Sequence, residues 1–191
     1  MADVEIRRHP ALLRREQVGL IVVDVQEGFR PVIDRFDATV AACGLLAEGF
    51  GVLGRPVLVS EQYPKGLGST VEEISGRLPE GTAPIEKLRF SACGVEAFDA
   101  ALAEAGCTAW VVAGIEAHVC VNQTVLDLID RGYTTYVAAD ATSSRAPANK
   151  ELALERMSLA GAHVTSSEMA LFEMLEVAGS PEFKAISKLV R

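Results

Sequence analysis

The sequence has few of the residues and patterns that mark several common protein classes. It has only four cysteines (Cys43, Cys93, Cys107 and Cys120), none spaced as C-x-x-C, and only three histidines (His9, His118 and His163), none at a zinc-like spacing. A structural zinc site and a disulfide framework are therefore not expected, and reduced thiols in a cytoplasmic setting fit better. No run of basic residues occurs, and 18 lysines and arginines against 26 acids leave a net charge of −8. Such a balance is a poor match for nucleic acid or an anionic membrane surface. The longest early apolar stretch, Val18–Val23, is far too short to span a bilayer and ends at Asp24. The segment Met1–Arg15 is charged throughout and does not read as a secretion signal. No G-x-G-x-x-G follows the first apolar run, where Asp24-Val-Gln-Glu-Gly28 stands instead, which disfavours a dinucleotide-binding protein. No linker, internal repeat or low-complexity segment divides the chain.

What is present is alternation. Apolar runs rich in valine and isoleucine occur at Val18–Val23, Pro56–Ser60, Ala109–Ala113 and Thr134–Ala139, with a weaker one at Ala162–Thr165. Runs that are apolar on both faces suit central strands of a parallel sheet. Helical patterns lie between them at about Ala38–Phe50, Val95–Ala105, Cys120–Arg131 and Lys150–Ala160. Gly106, Gly132 and Gly161 stand where a left-handed residue ends a helix. Two terminal helices are read at Glu168–Val177 and Pro181–Val190. The stretch Gln62–Arg89 is rich in proline and glycine and reads as a long surface excursion, with a short helix near Val71–Arg77 and a short strand at Pro84-Ile85. The pattern predicts one α/β domain over residues 1–191: a three-layer, doubly wound, mostly parallel sheet of about six strands with helices on both faces.

Ligands of open parallel sheets sit at the carboxyl ends of the strands. Asp24 ends the first run, Glu61 and Gln62 follow the second, Glu86 and Lys87 follow Pro84-Ile85, and Asp140 follows Ala139. Cys120 follows Ala109–Ala113 and falls in the first turn of the next helical pattern, where unpaired amides and the helix dipole would favour thiolate. Each has an ordinary reading: Cys120 as a packing cysteine, Asp24 as a cap, Lys87 as a solvated lysine. Read together they supply a base, a cation and a nucleophile, and amides of the Glu116–Cys120 turn would complete an oxyanion hole. These are the parts needed for acyl transfer through a thioester.

Three separated segments, Val-Val-Asp24-Val-Gln26-Glu-Gly-Phe29, Glu86-Lys87-Leu-Arg-Phe90-Ser91-Ala92 and Gly114-Ile115-Glu116-Ala-His-Val-Cys120-Val, resemble the signatures of the isochorismatase-like cysteine hydrolases. The segments Ser60–Gly68 and Asp127–Tyr133 look most like its isochorismatase domain-containing subgroup. The resemblance implies Asp24 as general base, Lys87 as the charge-stabilising residue and Cys120 as nucleophile. It also implies a cis peptide between Ile115 and Glu116, with the Glu116 and Cys120 amides forming the oxyanion hole. Gln26, Phe29, Phe90 and His118 are candidate pocket residues, with Phe29 equally readable as core. Assembly into a homo-oligomer is implied as well, with a small molecule as substrate and no cofactor.

Two departures narrow the chemistry. Nicotinamidases of this superfamily bind a metal after the second strand, where this chain has Glu61-Gln62-Tyr63 and no histidine between His9 and His118. True isochorismatases lack the cysteine, so Cys120 points to an amide, imide, nitrile-like or ester carbon. Cys93, where many members have phenylalanine, reads as a changed pocket wall. The competing function is a small-molecule-binding or regulatory protein that keeps the fold without turnover.

Overall fold

The computed structural model describes residues 8–191, so residues 1–7 of the charged N-terminal stretch lie outside it. Six strands, β1 (Val18–Val23), β2 (Val57–Gln62), β3 (Ile85–Lys87), β4 (Ala109–Ile115), β5 (Thr134–Ser143) and β6 (His163–Thr165), form one sheet in the order β3-β2-β1-β4-β5-β6. Every pairing is parallel. The chain winds outward from β1 to β3, returns to the centre at β4, and winds the other way to β6. The strand order therefore reverses between β1 and β4, and loops leaving their carboxyl ends part there to form the crevice in which such sheets hold ligands.

All residues of β1 and β4 are buried, as their continuous apolar character predicts. Because side chains alternate along a strand, Leu20 and Val22 join one core and Ile21 and Val23 the other. The first core lies beneath α1 (Phe36–Val52), the single turn α3 (Glu72–Ser75), α7 (Ser167–Leu175) and α8 (Pro181–Leu189), with Phe50, Ile74, Leu171 and Ile186 fully buried. The second lies beneath α4 (Glu96–Ala105), α5 (Asn122–Asp130) and α6 (Pro147–Leu159), around Trp110, Phe98, Leu128 and Met157. Each such side chain contributes roughly 1.5–3 kcal/mol by leaving water. This is the three-layer α/β arrangement that the alternation predicts.

Three differences from the sequence pattern matter for the site. Strand β5 runs four residues beyond Ala139, because its ladder with β4 skips: Val112 pairs with Val137, but Gly114 pairs with Thr142. The skip carries Ser143 to the side of Ile115. Helix α5 begins at Asn122, because Ala117–Val121 forms a π-helical turn. Helix α6 begins at Pro147 instead of Lys150, since a proline at the first helical position has its φ preset and lacks only an N–H that would be unpaired there. The excursion after β2 contains another single turn, α2 (Pro64–Leu67), before α3.

Candidate active site

Asp24 is the first residue past β1, fully buried, with φ +52°, and its N–H donates to the Ser60 carbonyl at 3.0 Å. A non-glycine residue in the left-handed region is a known mark of functional sites. The β1–β2 register pairs Val23 with Ser60, so the Ser60 hydroxyl stands beside the carboxylate and donates to Asp24 Oδ1 at 2.7 Å. Lys87, the last residue of β3, donates from Nζ to Asp24 Oδ2 at 2.6 Å, and its side chain is 1% exposed. The same ammonium lies 2.9 Å from Gln62 Oε1, 3.0 Å from the Phe90 carbonyl and 3.2 Å from the Arg89 carbonyl. Cys120 is buried in the π-helical turn, close enough to Asp24 and Lys87 that both act on its thiol. Base, cation and thiol thus share one buried spot at the strand-order reversal.

Burial pushes the Asp24 carboxyl up from its ordinary value, and the Lys87 ion pair and the Ser60 hydroxyl offset only part of that. Burial likewise pushes the Cys120 thiol up, to about 12, with the Asp24 charge adding to the rise and Lys87 opposing it. This corrects the thiolate expectation. Cys120 sits buried in a π-helical turn ahead of α5, and burial first, then the Asp24 charge, favour its neutral form. Its resting form is the thiol, and ionising it requires a base at hand.

The peptide bond between Ile115 and Glu116 is cis. The Glu116 carbonyl takes the N–H groups of Val119 at 3.0 Å and Val121 at 3.2 Å. The buried Glu116 carboxylate accepts from Arg145 Nε and the Arg145 backbone N–H, both at 3.0 Å on Oε2, and its Oε1 forms an ion pair with Arg145 Nη2 at 3.0 Å.

The remaining candidates separate. Gln26 is fully buried and ties loops together. Its Nε2 donates to the Gln62 and Gly68 carbonyls at 3.0 and 2.6 Å, and its Oε1 accepts from Gln62 N–H at 2.7 Å. Both ends of its amide are bonded, so it braces the loops after β1 and β2. Phe29 packs against the α1-side core, which is its alternative reading. Phe90 is 55% exposed, on the lip beside Lys87. His118 places Nδ1 3.0 Å from Ser144 Oγ and Nε2 3.4 Å from Asn149 Nδ2, bordering a cavity of about 180 Å³ with Asn122 and Arg156. Asp140 accepts from the Ser167 N–H at 2.8 Å and from the Ser167 hydroxyl, which makes it an anchor for the start of α7. Glu61, in β2, has Oε1 accepting from Thr70 N–H and Oγ1 at 2.6 and 2.7 Å. A groove of about 440 Å³ lined by Tyr63, Leu88 and Val95 reaches Lys87 from the β3 edge.

Sequence reasoning missed Ser60 and the Glu116–Arg145 pair, and it placed Gln62 at a strand end without its contact to Lys87. Ser60 alone carried a usable signal, as the residue at the end of the strand next to β1.

An isochorismatase domain matches residues 18–169. The chain belongs to the isochorismatase family. Isochorismatase domain-containing protein 1 of Danio rerio is 43% identical over 169 residues, covering 88% of this chain and 59% of the relative. The chain thus spans about three fifths of that relative's length. Among solved structures, the MAR1 ribonuclease of Caenorhabditis elegans superposes with a TM-score of 0.90 at 36% identity, covering 94% of this chain and 92% of that one. The octameric Escherichia coli YcaC hydrolase of unknown specificity shares the fold with a TM-score of 0.87 at 20% identity, over 96% and 92% of the two chains. No helix among the described residues is long and apolar enough to cross a membrane.

Proposed function

We propose that this member of the isochorismatase family is a cofactor-independent cysteine hydrolase. It would cleave a small amide, imide or ester through a thioester on Cys120. The observation that carries this reading is the buried Asp24–Lys87 ion pair, 2.6 Å long, beside the Cys120 thiol. A carboxylate is costly to bury, and here the site retains one within reach of the Cys120 S–H. Asp24 takes the thiol proton as the sulfur attacks the carbonyl carbon, so that a free thiolate need never accumulate. Lys87 and the Glu116 and Cys120 amides hold the negative charge that develops. Collapse of the tetrahedral intermediate breaks the C–N or C–O bond, and Asp24 returns its proton to the leaving group. Asp24 then deprotonates the water that hydrolyses the thioester. We place the activity in a cytoplasmic homo-oligomer built on a single domain, residues 1–191.

A fold retained for binding without turnover is the second reading, favoured by the near-complete burial of the thiol in the isolated chain. The ribonuclease name of the Caenorhabditis elegans neighbour fits this chain poorly. Its net charge is −8, and its buried site cation is already surrounded by acceptors.

Screening small amides, ureides and esters, with intact-mass detection of an adduct on Cys120, tests the proposal. Cys120→Ala and Cys120→Ser should lower turnover by at least about a thousandfold. Undiminished turnover in either variant would sink the nucleophile assignment.

A further inference from the structure

We propose that Arg145 is a positioning residue for this reaction: through Glu116 it holds the amide that receives the oxyanion. The inference rests on the hydrolase reading above. Glu116 carries two groups of opposite character on one loop. Its N–H is one that the hydrolase reading assigns to the oxyanion, and its carboxylate is buried against the Arg145 guanidinium. Arg145 donates to Glu116 Oε2 from both Nε and its backbone N–H at 3.0 Å, and its Nη2 lies 3.0 Å from Oε1 as an ion-pair contact. Two N–H donors from one residue, main chain and side chain, converging on Oε2 with the charge contact on Oε1 fix direction as well as distance, which a single contact cannot do.

The grip ties together two segments that the sheet brings side by side. The β4–β5 ladder pairs Ile115 with Ser143 after its skip, so Arg145 leaves β5 next to the loop that ends in Cys120. The neighbouring residues repeat the link: Ser144 Oγ meets His118 Nδ1 at 3.0 Å, the Ser144 carbonyl accepts from Asp34 N–H at 3.0 Å, and the Ser143 hydroxyl donates to the Asp34 carbonyl at 2.6 Å. The β5 exit is thus anchored at Asp34 ahead of α1 and presents Arg145 from a fixed base. An oxyanion donor loses its value when displaced by even about 1 Å, so a strut on the residue that carries it bears on rate. The Arg145 side chain is 62% exposed, which places the strut within reach from solvent.

Two thiol reagents separate this role from general support of the fold. With acrylamide, the Cys120 sulfur bonds the β-carbon and the alkene pair shifts to give an enolate with charge on the amide oxygen. The proton removed from the thiol then returns to the α-carbon, and nothing leaves. With iodoacetamide, the sulfur displaces iodide, the thiol proton passes to solvent, and the amide oxygen gains no charge. Arg145→Ala should slow acrylamide addition to Cys120 by about tenfold or more while changing the iodoacetamide rate less than about twofold. Millimolar guanidinium or methylguanidinium, filling the exposed slot, should restore much of the loss, and Arg145→Lys should fall between the two. Equal slowing with both reagents, or no slowing with either, overturns the positioning role. If wild-type Cys120 takes up acrylamide no faster than Cys120-independent labelling in Cys120→Ser, the hydrolase reading itself fails, an outcome visible before any Arg145 variant is made.

Discussion

At the scale of single residues, the buried Asp24–Lys87 pair and the Cys120 thiol act as one titrating unit. Burial, with the Asp24 charge behind it, lifts the Cys120 thiol to about 12. Its alkylation by iodoacetamide should therefore climb with pH through 9 and 10 with no plateau near neutrality. A plateau at pH 7–8 would show a thiolate that Asp24 does not suppress. The sign for stability follows the same shift. A group whose pKa is raised on folding contributes fully below its unfolded value, about 8.5–9, and loses that contribution as pH rises toward 12. Lys87→Met removes the cation that holds Asp24 ionised, leaving a buried carboxylate without a counter-charge. The variant should lose about 3–5 kcal/mol of stability in denaturant titrations at pH 8. The deficit should shrink at pH 5, because the Asp24 carboxyl, already raised in the native chain, rises further and takes a proton. A deficit independent of pH would mean that Lys87 matters for packing alone. The identities of these residues were legible in the sequence because each lies in its own motif. Their contact was not, since Asp24 and Lys87 are 63 positions apart and only the parallel pairing of β1, β2 and β3 brings them together. The Glu116–Arg145 bond, spanning 29 positions between unremarkable neighbours, left no pattern to read.

At the scale of elements, strands that are apolar on both faces announce themselves, and β1 matches the sequence reading residue for residue. The elements that misread are those whose geometry is set by a neighbour. The extension of β5 depends on a skip in its ladder with β4, and the turn holding Cys120 is π-helical although its apolar spacing reads as α-helix. Gly114 is where β4 must come closest to β1 just before that turn. Its φ is +118°, and a Cβ there would lie 2.1 Å from the Val23 carbonyl oxygen and 2.6 Å from the Val23 nitrogen, both backbone atoms that cannot rotate aside. Gly114→Ala should therefore destabilise the fold by at least about 3 kcal/mol, lowering the melting midpoint by roughly 6–12 °C. It should also push Asp24 and Cys120 apart, since Val23 precedes the one and Gly114 leads to the other. A variant with unchanged thermal stability would show that the β1–β4 approach is softer than its geometry implies.

At the scale of the whole molecule, the three-layer architecture followed from alternation alone, whereas nothing in composition says how many chains assemble. The proposed site points to more than one. Asp24, Lys87 and Cys120 are at most 6% exposed, yet the surface nearby keeps Leu88 74% and Phe90 55% open to solvent, beside a groove that ends at Lys87. On α6, Leu152 and Leu159 are 64% and 83% exposed and, seven positions apart, share one face. Large apolar side chains exposed at matching helical positions are typical of surfaces covered on association. Light scattering after size-exclusion chromatography should accordingly give a mass of at least two chains at micromolar concentration. Leu159→Glu should shift that distribution toward smaller species with little loss of thermal stability, because the residue makes no core contact that its replacement would break. A wild-type protein that elutes as a monomer at tens of micromolar would overturn the assembly. It would also leave Leu88 and Phe90 as walls of a site that one chain opens for itself.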